Sequence, residues 1–459
     1  MRPHEIVEAA LAQCTVDAMT VICEEHSQTN LRWAANTLTT NGVMRSVDIT
    51  VVAVNGNGAG RAAGVASASV AEASDIAAIV SRAEAAARAS DPSPDAGDLM
   101  TGSTSDTFDA PPEETSPDVF SQFAPALGDW FGRARGEEFE LFGFAEHEVI
   151  TTYLGNTAGL RQRHVQPTGR LEITGKSDGR QRSTWLGRST RDFLDIDVEG
   201  LDAEVRTQLG WAERSIALDP GRYEVLLPPS AVADLMVYLY WTATARDAAE
   251  GRTVFSRPGG GTRIGERLTE SPLSLFSDPS YPGMQCAPFV VAHASGSTES
   301  VFDNGLPLER TAWIDNGELA ALGQTRHSAT LTSGALTPMI DNLALEVADA
   351  NSSTADLIAS TERGLLLTTL WYIREVDPQT LLLTGLTRDG VYLVEGGEVV
   401  GAVNNFRFNE SPVDLLSRVV GASATEVTLP REWSDFFTRV AMPTLRVADF
   451  NMSTVSQAS

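Results

Sequence analysis

Six histidines are the residues of this sequence best suited to hold a catalytic metal ion. A catalytic zinc site takes three protein ligands from His, Cys and carboxylates and leaves one position open for water. The compact way to supply them is two histidines about one helical turn apart, with a glutamate between them as general base. The histidines are His4, His26, His147, His164, His293 and His327. Since no two of them lie within a helical turn of each other, the sequence carries no compact zinc motif.

His147 stands between two carboxylates, in the triplet Glu146-His147-Glu148, which superficially resembles a cluster of metal ligands. The residues around it alternate in the manner of a β-strand. Successive side chains of a strand point to opposite faces, so His147 would face away from both glutamates. We therefore predict a solvated surface triplet at this position and not a metal site.

Cysteine chemistry has little support in the sequence. Cys14, Cys23 and Cys286 include no Cys-x-x-Cys pair, which excludes a zinc ribbon. Their odd number and wide spacing argue against a disulfide framework and suit a reducing compartment. A metal-independent hydrolase that uses Ser256 or Cys286 stays open as an alternative, although no base stands beside either residue, as activation of a nucleophile would require.

Two glycine-rich segments are candidates for binding. Residues 56–61 lack the lysine of a phosphate loop and the βαβ context of a dinucleotide fold, so we predict a turn between strands. Residues 256–266 follow a predicted helix and combine two arginines with glycines that would let another backbone approach closely. We interpret this segment as a peptide- or partner-binding loop, with a plain flexible connector as the alternative. The candidate residues are Arg257, Gly259, Gly260, Gly261 and Arg263.

The charge of the chain limits its partners. Acidic residues number 61 and basic residues 34, which gives a formal net charge of −27. Such a chain repels nucleic acids and anionic membranes at long range. No segment approaches the roughly 18 consecutive apolar residues that a membrane helix requires, and the N-terminus lacks the apolar region of a signal peptide. We expect a soluble cytoplasmic protein that binds neither nucleic acid nor membrane.

The elements that would position these residues divide into two predicted domains. Residues 1–217 read as helix, strand meander and helix, followed by further strands and a helix, which predicts an N-terminal mixed α/β domain. Within it, residues 91–117 are rich in Pro, Ser, Thr and acidic residues and nearly free of apolar ones. We predict a mobile acidic loop there, with a substrate-gating flap as the alternative.

Residues 218–459 predict a second domain. A strand closed by Pro228-Pro229 precedes a long helix that Ser230 could cap and that we expect to reach about residue 250. Short β-prone runs separated by turn signals fill the remainder and indicate a C-terminal domain dominated by a large twisted antiparallel β-sheet. The fold class is therefore α+β. The turn signals, including two in the N-terminal half, are Asn41-Gly42, Asn55-Gly56, Asn304-Gly305, Asn316-Gly317 and Asp389-Gly390.

An ordered set of motifs carries a resemblance to a known family. The pieces are Val225-Leu226-Leu227-Pro228-Pro229-Ser230, Gly265-Glu266-Arg267-Leu268-Thr269, Phe302-Asp303-Asn304-Gly305-Leu306-Pro307, Ile314-Asp315-Asn316-Gly317-Glu318-Leu319, Glu362-Arg363-Gly364-Leu365-Leu366-Leu367-Thr368 and the ending Leu445-Arg446-Val447-Ala448-Asp449-Phe450. Their order resembles the TldD/PmbA family across nearly the whole chain. No single piece is diagnostic alone.

The resemblance implies a bacterial cytosolic metallopeptidase system of two related subunits, TldD and TldE (also called PmbA), that degrades or processes unfolded or small peptides in an enclosed chamber. It also implies a His-Glu-x-x-x-His motif on the long helix of TldD and a Cys near its C-terminus. In this sequence the corresponding helix, residues 231–242, has neither His nor the Glu, and no Cys follows Cys286. The resemblance therefore places the chain with TldE/PmbA, without catalytic or metal-binding residues of its own.

From this resemblance we expect a non-catalytic subunit whose cofactor, zinc, belongs to a TldD-like partner. Association as a heterodimer with that partner or as a homodimer stays open. The helix of residues 231–242, which lacks the zinc motif, could instead form a substrate wall through Tyr238, Tyr240 and Trp241. Packing of these aromatic side chains in the core is the alternative. The alternative function is a homodimeric peptide-binding or scaffold protein with no enzymatic partner.

Overall fold

A computed structural model describes residues 1–69, 73–137 and 139–456, and over these residues the chain forms three β-sheets and nine α-helices. The α+β class predicted from the sequence is confirmed. Among the described residues, none of the helices combines the length and hydrophobicity that crossing a bilayer requires.

The first sheet contains six long antiparallel strands and belongs to the N-terminal part. Its spatial order is β3-β2-β1-β4-β5-β6, so the central pair, β1 and β4, comes from distant parts of the chain. The strands are β1 (Ala18–Ala34), β2 (Thr37–Asn55), β3 (Ala62–Ser69), β4 (Glu140–Asn156), β5 (Arg161–Ser177) and β6 (Arg182–Thr190).

The two faces of this sheet differ because its residues alternate. Odd-numbered side chains such as Val21, Trp33 and Leu171 are buried against helices that cover one face. Even-numbered side chains of β1, β4 and β5 point to the other face, toward the C-terminal part. The covering helices are α1 (Pro3–Leu11), α2 (Ala73–Ala89), α3 (Phe123–Gly136) and α4 (Val198–Trp211).

Residues 91–117 contain no regular strand or α-helix and pack against both faces of the first sheet. The backbone N–H of Ser93 donates to Arg61 O (2.8 Å), and the Tyr153 hydroxyl donates to Ala110 O (2.6 Å). Asp95 Oδ1 accepts from the backbone N–H of His327 (2.6 Å), which ties the segment to the C-terminal part. The earlier part of the segment also reaches the even-numbered face, where Met100 packs against Ile22 and Leu154. Its predicted mobility stays a prediction.

Two more sheets fill the C-terminal part. Their strands are β7 (Ser215–Ile216), β8 (Gly221–Leu227), β9 (Leu273–Ser277), β10 (Thr311–Asp315), β11 (Glu318–Leu319), β12 (Leu343–Val347), β13 (Arg363–Leu367), β14 (Leu370–Asp377), β15 (Leu382–Thr387), β16 (Val391–Glu395), β17 (Glu398–Val403), β18 (Phe406–Glu410), β19 (Val419–Ala422), β20 (Glu426–Thr428), β21 (Val440–Met442) and β22 (Leu445–Val455).

The larger sheet has the order β14-β15-β18-β22-β8-β13-β16-β17-β7, with β19 paired to β22, and the smaller has the order β11-β10-β9-β12-β21-β20. Most pairs are antiparallel, as predicted, but β8–β13, β7–β17 and β12–β21 are parallel. The last strand, β22, therefore lies in the middle of the larger sheet. The predicted domain boundary at residue 217 stays a prediction. The strand β7 lies just before residue 217 in the sequence and pairs with β17 in the larger C-terminal sheet.

The helix α5 (Pro229–Thr242) packs within the core that both C-terminal sheets share. It is apolar on nearly every side, as expected for a helix that is surrounded by protein. It ends at Thr242, short of the predicted end near residue 250, and α6 (Ala245–Ala249) follows. The remaining helices are α7 (Arg326–Thr332), α8 (Thr354–Ala359) and α9 (Pro412–Leu416).

One predicted turn is wrong and others are confirmed. Asn41-Gly42 lies inside β2, and the β1–β2 hairpin turns instead at Ala35 and Asn36, which have φ of 48° and 60°. Asn36 tolerates this left-handed conformation, and its side chain is fixed from both sides: Nδ2 donates to Phe139 O (2.8 Å) and Oδ1 accepts from Leu141 N (2.7 Å). Asn316-Gly317 forms the predicted tight turn between β10 and β11.

Candidate functional site

A cavity of about 520 Å³ lies between the even-numbered face of the first sheet and loops of the C-terminal part. The first sheet contributes alternate residues from three adjacent strands, which the register brings side by side. We call this group the sheet wall. It consists of Glu24 from β1, Glu146, Glu148, Ile150 and Thr152 from β4, and His164, Gln166, Thr168 and Arg170 from β5.

The opposite side of the cavity comes from three loop segments of the C-terminal part. These segments fall within residues 287–308, 324–341 and 434–439. They add apolar surface through side chains such as Phe289, Met339 and Phe436. The cavity is therefore built by two parts of the chain, and its volume lies in the range of small-molecule and peptide pockets.

The cavity lining is acidic. Its charged side chains are seven carboxylates and two guanidinium groups: Glu24, Glu146, Glu148, Glu299, Asp303, Asp341, Asp435, Arg170 and Arg439. Burial raises the pKa of Glu299 and of Glu146 above the ordinary glutamate value. Seven carboxylates against two guanidinium groups leave an excess of acidic side chains in the lining, so a cationic group would be favoured inside.

The two arginines connect the sheet wall to the C-terminal loops. Arg170 Nε lies 3.1 Å from Glu146 Oε1, and its guanidinium also pairs with Asp435. Arg439 pairs with Asp341 and donates through one guanidinium nitrogen to Thr168 Oγ1 (3.0 Å). Each arginine thus contacts both sides of the cavity, and the pairs fix the distance between them.

Three histidines, His293, His164 and His26, line the cavity or lie beside it. His293 Nε2 lies 3.3 Å from Glu24 Oε2, and its Nδ1 lies 3.2 Å from Thr50 Oγ1 on β2. Beside the wall, the hydrogen bond between His26 Nδ1 and Glu148 Oε1 (3.2 Å) raises the pKa of His26. Burial lowers the pKa of His164, which keeps this ring neutral at physiological pH. The three histidines therefore make separate hydrogen bonds around the cavity and are not gathered around one point.

The aromatic residues predicted on α5 lie behind the cavity, and none of the three lines it. Tyr240 is buried, and its hydroxyl donates to Ile340 O (2.8 Å) and accepts from Ile340 N (2.7 Å). Tyr238 and the partly exposed Trp241 pack on Trp433, with ring centroids 5.6 and 5.1 Å apart. Tyr240 instead packs on Trp313 and Phe437. The predicted role of the three residues as a substrate wall stays a prediction.

The glycine-rich loop also lies outside the cavity lining. Gly259, Gly260 and Gly261 all have positive φ, as a tight turn of this kind demands. Both of its arginines bind one carboxylate: Arg257 Nε donates to Glu266 Oε1 (2.9 Å) and Arg263 Nε donates to Glu266 Oε2 (2.9 Å). These contacts stabilise the loop itself, and its predicted binding of a peptide or partner stays a prediction.

Neither candidate nucleophile is activated. Cys286 is buried, and burial raises the pKa of its thiol to about 11, which disfavours the reactive thiolate. Ser256 Oγ accepts a hydrogen bond from the backbone N–H of Thr253 (3.2 Å). His147 does face away from both glutamates, but the prediction that it lies on the surface is wrong. It is buried on the helix-bearing side, between Thr115 Oγ1 and Arg191 O, each 2.7 Å away.

Three solved structures share this fold over almost its whole length. TldE from Thermococcus kodakarensis superposes with a TM-score of 0.79 at 16% identity and covers 97% of this chain and 98% of its own. A putative modulator of a DNA gyrase from Thermotoga maritima gives 0.76 at 16%, covering 97% and 99%. A putative modulator of DNA gyrase from Bacteroides thetaiotaomicron gives 0.74 at 14%, covering 98% of each chain.

No curated protein matches the chain in sequence. A family model does: residues 220–454, just over half of the chain, match the one described as PmbA/TldA metallopeptidase C-terminal domain. The chain belongs to the PmbA/TldD family. The resemblance drawn from the ordered sequence motifs is thereby confirmed at the level of the family.

Zinc is the metal that the PmbA/TldD family implies, and the residues of α5 do not fit it. Apart from Ser230 and Thr242 at its ends and two tyrosines, Asp234 is the one polar side chain on this helix. It is fully buried, and burial raises its pKa well above the ordinary aspartate value. Its Oδ1 accepts from the backbone N–H of Glu432 (2.9 Å).

A single buried carboxyl group cannot supply the three ligands of a zinc site. Among the residues that the structure describes, no group of three or more His, Cys, Asp and Glu side chains is placed to hold a metal ion. We therefore derive no zinc-dependent step for this PmbA/TldD family member, and the absence of a cofactor stays a prediction.

Sequence reasoning missed the sheet wall. The signal was present in the alternation of Glu146 and Glu148 along β4, and of Thr168 and Arg170 along β5. Polar and charged residues at alternate positions of two neighbouring strands indicate a polar face. The sequence could not show that loops from beyond residue 287 would cover that face and turn it into a cavity.

Proposed function

We propose that the chain is the non-catalytic subunit of a two-subunit zinc metallopeptidase and acts together with a zinc-bearing member of the same family. The observation that carries this proposal is α5. The family resemblance implies metal ligands on this helix in the zinc-bearing subunit, whereas here the helix is apolar and carries one buried aspartate, Asp234. Membership of the PmbA/TldD family further supports a zinc-bearing member of the same family as the partner.

In this function the acidic cavity would hold part of an extended peptide while the partner subunit cleaves it. Backbone N–H and C=O groups of a peptide can pair with wall side chains such as Gln166 and Thr168, and apolar side chains can contact Phe289 and Met339. The excess of carboxylates favours peptides with lysine, arginine or a free amino terminus. Cleavage itself is assigned to the partner, because the residues that the structure describes include no metal ligand set, and neither Cys286 nor Ser256 is activated.

The test begins with the purified chain alone. We expect far less than one zinc per chain by elemental mass spectrometry and no cleavage of a mixture of unstructured peptides. The zinc-bearing family member encoded in the same genome is then added. We expect native mass spectrometry to show a one-to-one complex, and peptide cleavage that requires both chains and stops when zinc is chelated.

Two outcomes would contradict the proposal. Near-stoichiometric zinc together with cleavage by the chain alone would mean that scattered residues assemble a metal site. Failure of the two chains to associate over the micromolar range would remove the partner function. In that case a stable homodimer that binds peptides without cleaving them would favour the alternative of a peptide-binding scaffold.

A further inference from the structure

Among the described residues, one edge of the β1–β2 hairpin has a long stretch that no other strand pairs with. β3 pairs with β2 over Asp48 to Asn55, and the ladder leaves residues 37–46 of β2 paired on one side only, to β1. No strand among the described residues pairs with the other side of this ten-residue stretch. At about 3.4 Å per residue the free edge is roughly 34 Å long.

The free edge has an apolar surface of its own. Leu38, Val43 and Met44 are 51%, 55% and 59% exposed. Leu38 and Val43 stand opposite Trp33 and Thr29 on the helix-bearing side, whereas Met44 stands opposite Gln28 on the cavity side. Apolar side chains are therefore uncovered on both faces of the same edge.

Protection against uncontrolled pairing is almost missing from this edge. Soluble proteins normally blunt exposed strand edges with prolines, bulges or several charged side chains. Residues 37–46 contain no proline and one charged residue, Arg45, which pairs with Glu114. The one irregularity of the β1–β2 ladder lies near the hairpin turn, between Arg32 and Trp33. An edge of this length that stays unprotected is expected to be covered by another chain.

The hairpin differs in charge from the rest of the molecule. We call residues 28–47 the hairpin strip. It contains Arg32 and Arg45 and no carboxylate, in a chain with 61 acidic residues and a net charge of −27. A second copy of this acidic chain would be repelled as a whole, whereas a less acidic subunit would approach more easily.

We infer that residues 37–46 of β2 are the docking edge for the zinc-bearing subunit, which adds a strand to this sheet. The inference rests on the proposed function. Main-chain pairing along the edge would provide affinity, and Leu38, Val43 and Met44 would provide contacts on the two faces. A bound peptide would cover the edge itself, but a subunit with its own sheet and helices would cover both faces, which is what the exposed side chains require.

The test compares two triple variants of the full chain. In the first, the edge residues change: Leu38→Glu, Val43→Glu and Met44→Glu. In the matched control, exposed apolar residues of the C-terminal part change: Leu331→Glu, Val376→Glu and Val420→Glu, which have similar exposed fractions. Circular dichroism and thermal melting check that both variants fold. Titration with the zinc-bearing family member from the same genome should give a Kd at least about tenfold higher for the edge variant than for wild type, with the control unchanged.

Hydrogen exchange of the wild-type chain provides a measurement that does not depend on how the variants fold. Amides of residues 37–46 should slow at least about tenfold when the partner is added. If wild type binds the partner but these amides stay fast, or the folded edge variant binds as tightly as wild type, the docking edge is wrong and the proposed function stands. If wild type does not bind the partner, both fail.

Two further outcomes would replace the occupant of the edge. A homodimer of the wild-type chain that is lost in the edge variant and kept in the control would assign the edge to a second copy. Slowed exchange of the same amides with an unstructured peptide, in the absence of the partner, would assign it to the substrate. Either result overturns the inference as stated.

Discussion

The sheet wall and the hairpin strip belong to the same antiparallel sheet, yet their side chains are arranged in opposite ways. In the wall, charged residues are closely spaced and paired across to the C-terminal loops, as in the contacts of Arg170 with Glu146 and Asp435. In the strip, charges are few and apolar side chains are exposed. One region has its contacts inside the chain, and the other leaves its edge unpaired.

This difference indicates which surface makes its contacts within the chain and which surface is available for contact with a second chain. Polar groups that are taken from water need partners, and those of the wall find them within the chain. Apolar side chains and backbone groups at the strip still face solvent, where pairing with a second chain would bury them. The predictions that follow test this contrast, beginning with the largest expected effect.

Replacing an arginine should be costly in the wall and nearly neutral in the strip. The side chain of Arg170 is 16% exposed and that of Arg45 is 50% exposed. Arg170→Met leaves Glu146 buried without its cation, and we expect a loss of about 3 kcal/mol in the free energy of unfolding near neutral pH. Arg45→Met should change it by less than about 1 kcal/mol. Denaturant unfolding measures both.

The loss in Arg170→Met should also depend on pH. Burial raises the pKa of Glu146, so its charged form is disfavoured in the folded state and its contribution to stability falls as the pH rises through that raised value. Without Arg170 this fall becomes steeper, because the charge loses its counter-ion. Unfolding curves at acidic and neutral pH should show a smaller loss under acidic conditions; an equal loss at both would contradict the role of the Glu146 charge.

The turn that holds the hairpin should be the second most sensitive position. Asn36→Ala removes two buried hydrogen bonds and places alanine at a positive φ, so we expect a loss of about 2–3 kcal/mol in the free energy of unfolding. Asn41→Ala, at the position that the sequence wrongly marked as a turn, is exposed within β2 and serves as the control. Equal effects of the two substitutions would show that the turn is not anchored as described.

The third prediction concerns the acidic cavity, where the affinity for a peptide should depend on the charge of the peptide. For two unstructured peptides of equal length, we expect the lysine-rich one to bind about five times more tightly than the glutamate-rich one at low salt, which corresponds to about 1 kcal/mol. The difference should shrink as salt screens the wall. Fluorescence anisotropy with the labelled peptides measures it. Glu299→Gln should reduce the preference, whereas Leu331→Glu should leave it unchanged.

The smallest expected effect concerns His26, which lies between the wall and the strip. Its hydrogen bond with Glu148 raises its pKa above the ordinary histidine value. The associated stability is fully present below the unfolded-state pKa and is lost as the pH rises through the higher folded-state value. His26→Gln should therefore lower the melting temperature slightly at about pH 6 and not at about pH 9. An NMR titration of the ring protons in the wild type would contradict this if the pKa were at or below about 6.5.

Local patterns in the sequence predicted much of the fold. Strand alternation correctly put His147 and the glutamates beside it on opposite faces, and the motif order led to the right family. Alternation could not say which face would be covered. Helix α3 and the segment around Thr115 bury the His147 side, so a charged triplet that looked solvated is half inside the protein.

The candidate site was much harder to predict, because it is made by distant pairs. Arg170 and Asp435 are 265 residues apart, and Thr168 and Arg439 are 271 apart. The local sequence around these four residues gives no signal of such long-range contacts. The family resemblance directed attention to α5, where the zinc ligands would be, and therefore away from the sheet wall. The Asn41-Gly42 error has a similar origin, since the side-chain contacts of Asn36 outweigh a strong local turn signal.

The central position of β22 also has a consequence for how the protein is made. Tyr223 on β8 pairs with Phe450 on β22, 227 residues later. At a synthesis rate of about 5–20 residues per second, β8 waits roughly 11 to 45 seconds before its neighbour leaves the ribosome. The first sheet can form its long hairpins during this interval, whereas the larger sheet stays open along its middle. Newly made chains would therefore need a chaperone, or an early-folding first sheet, to keep that gap from capturing strands of other proteins.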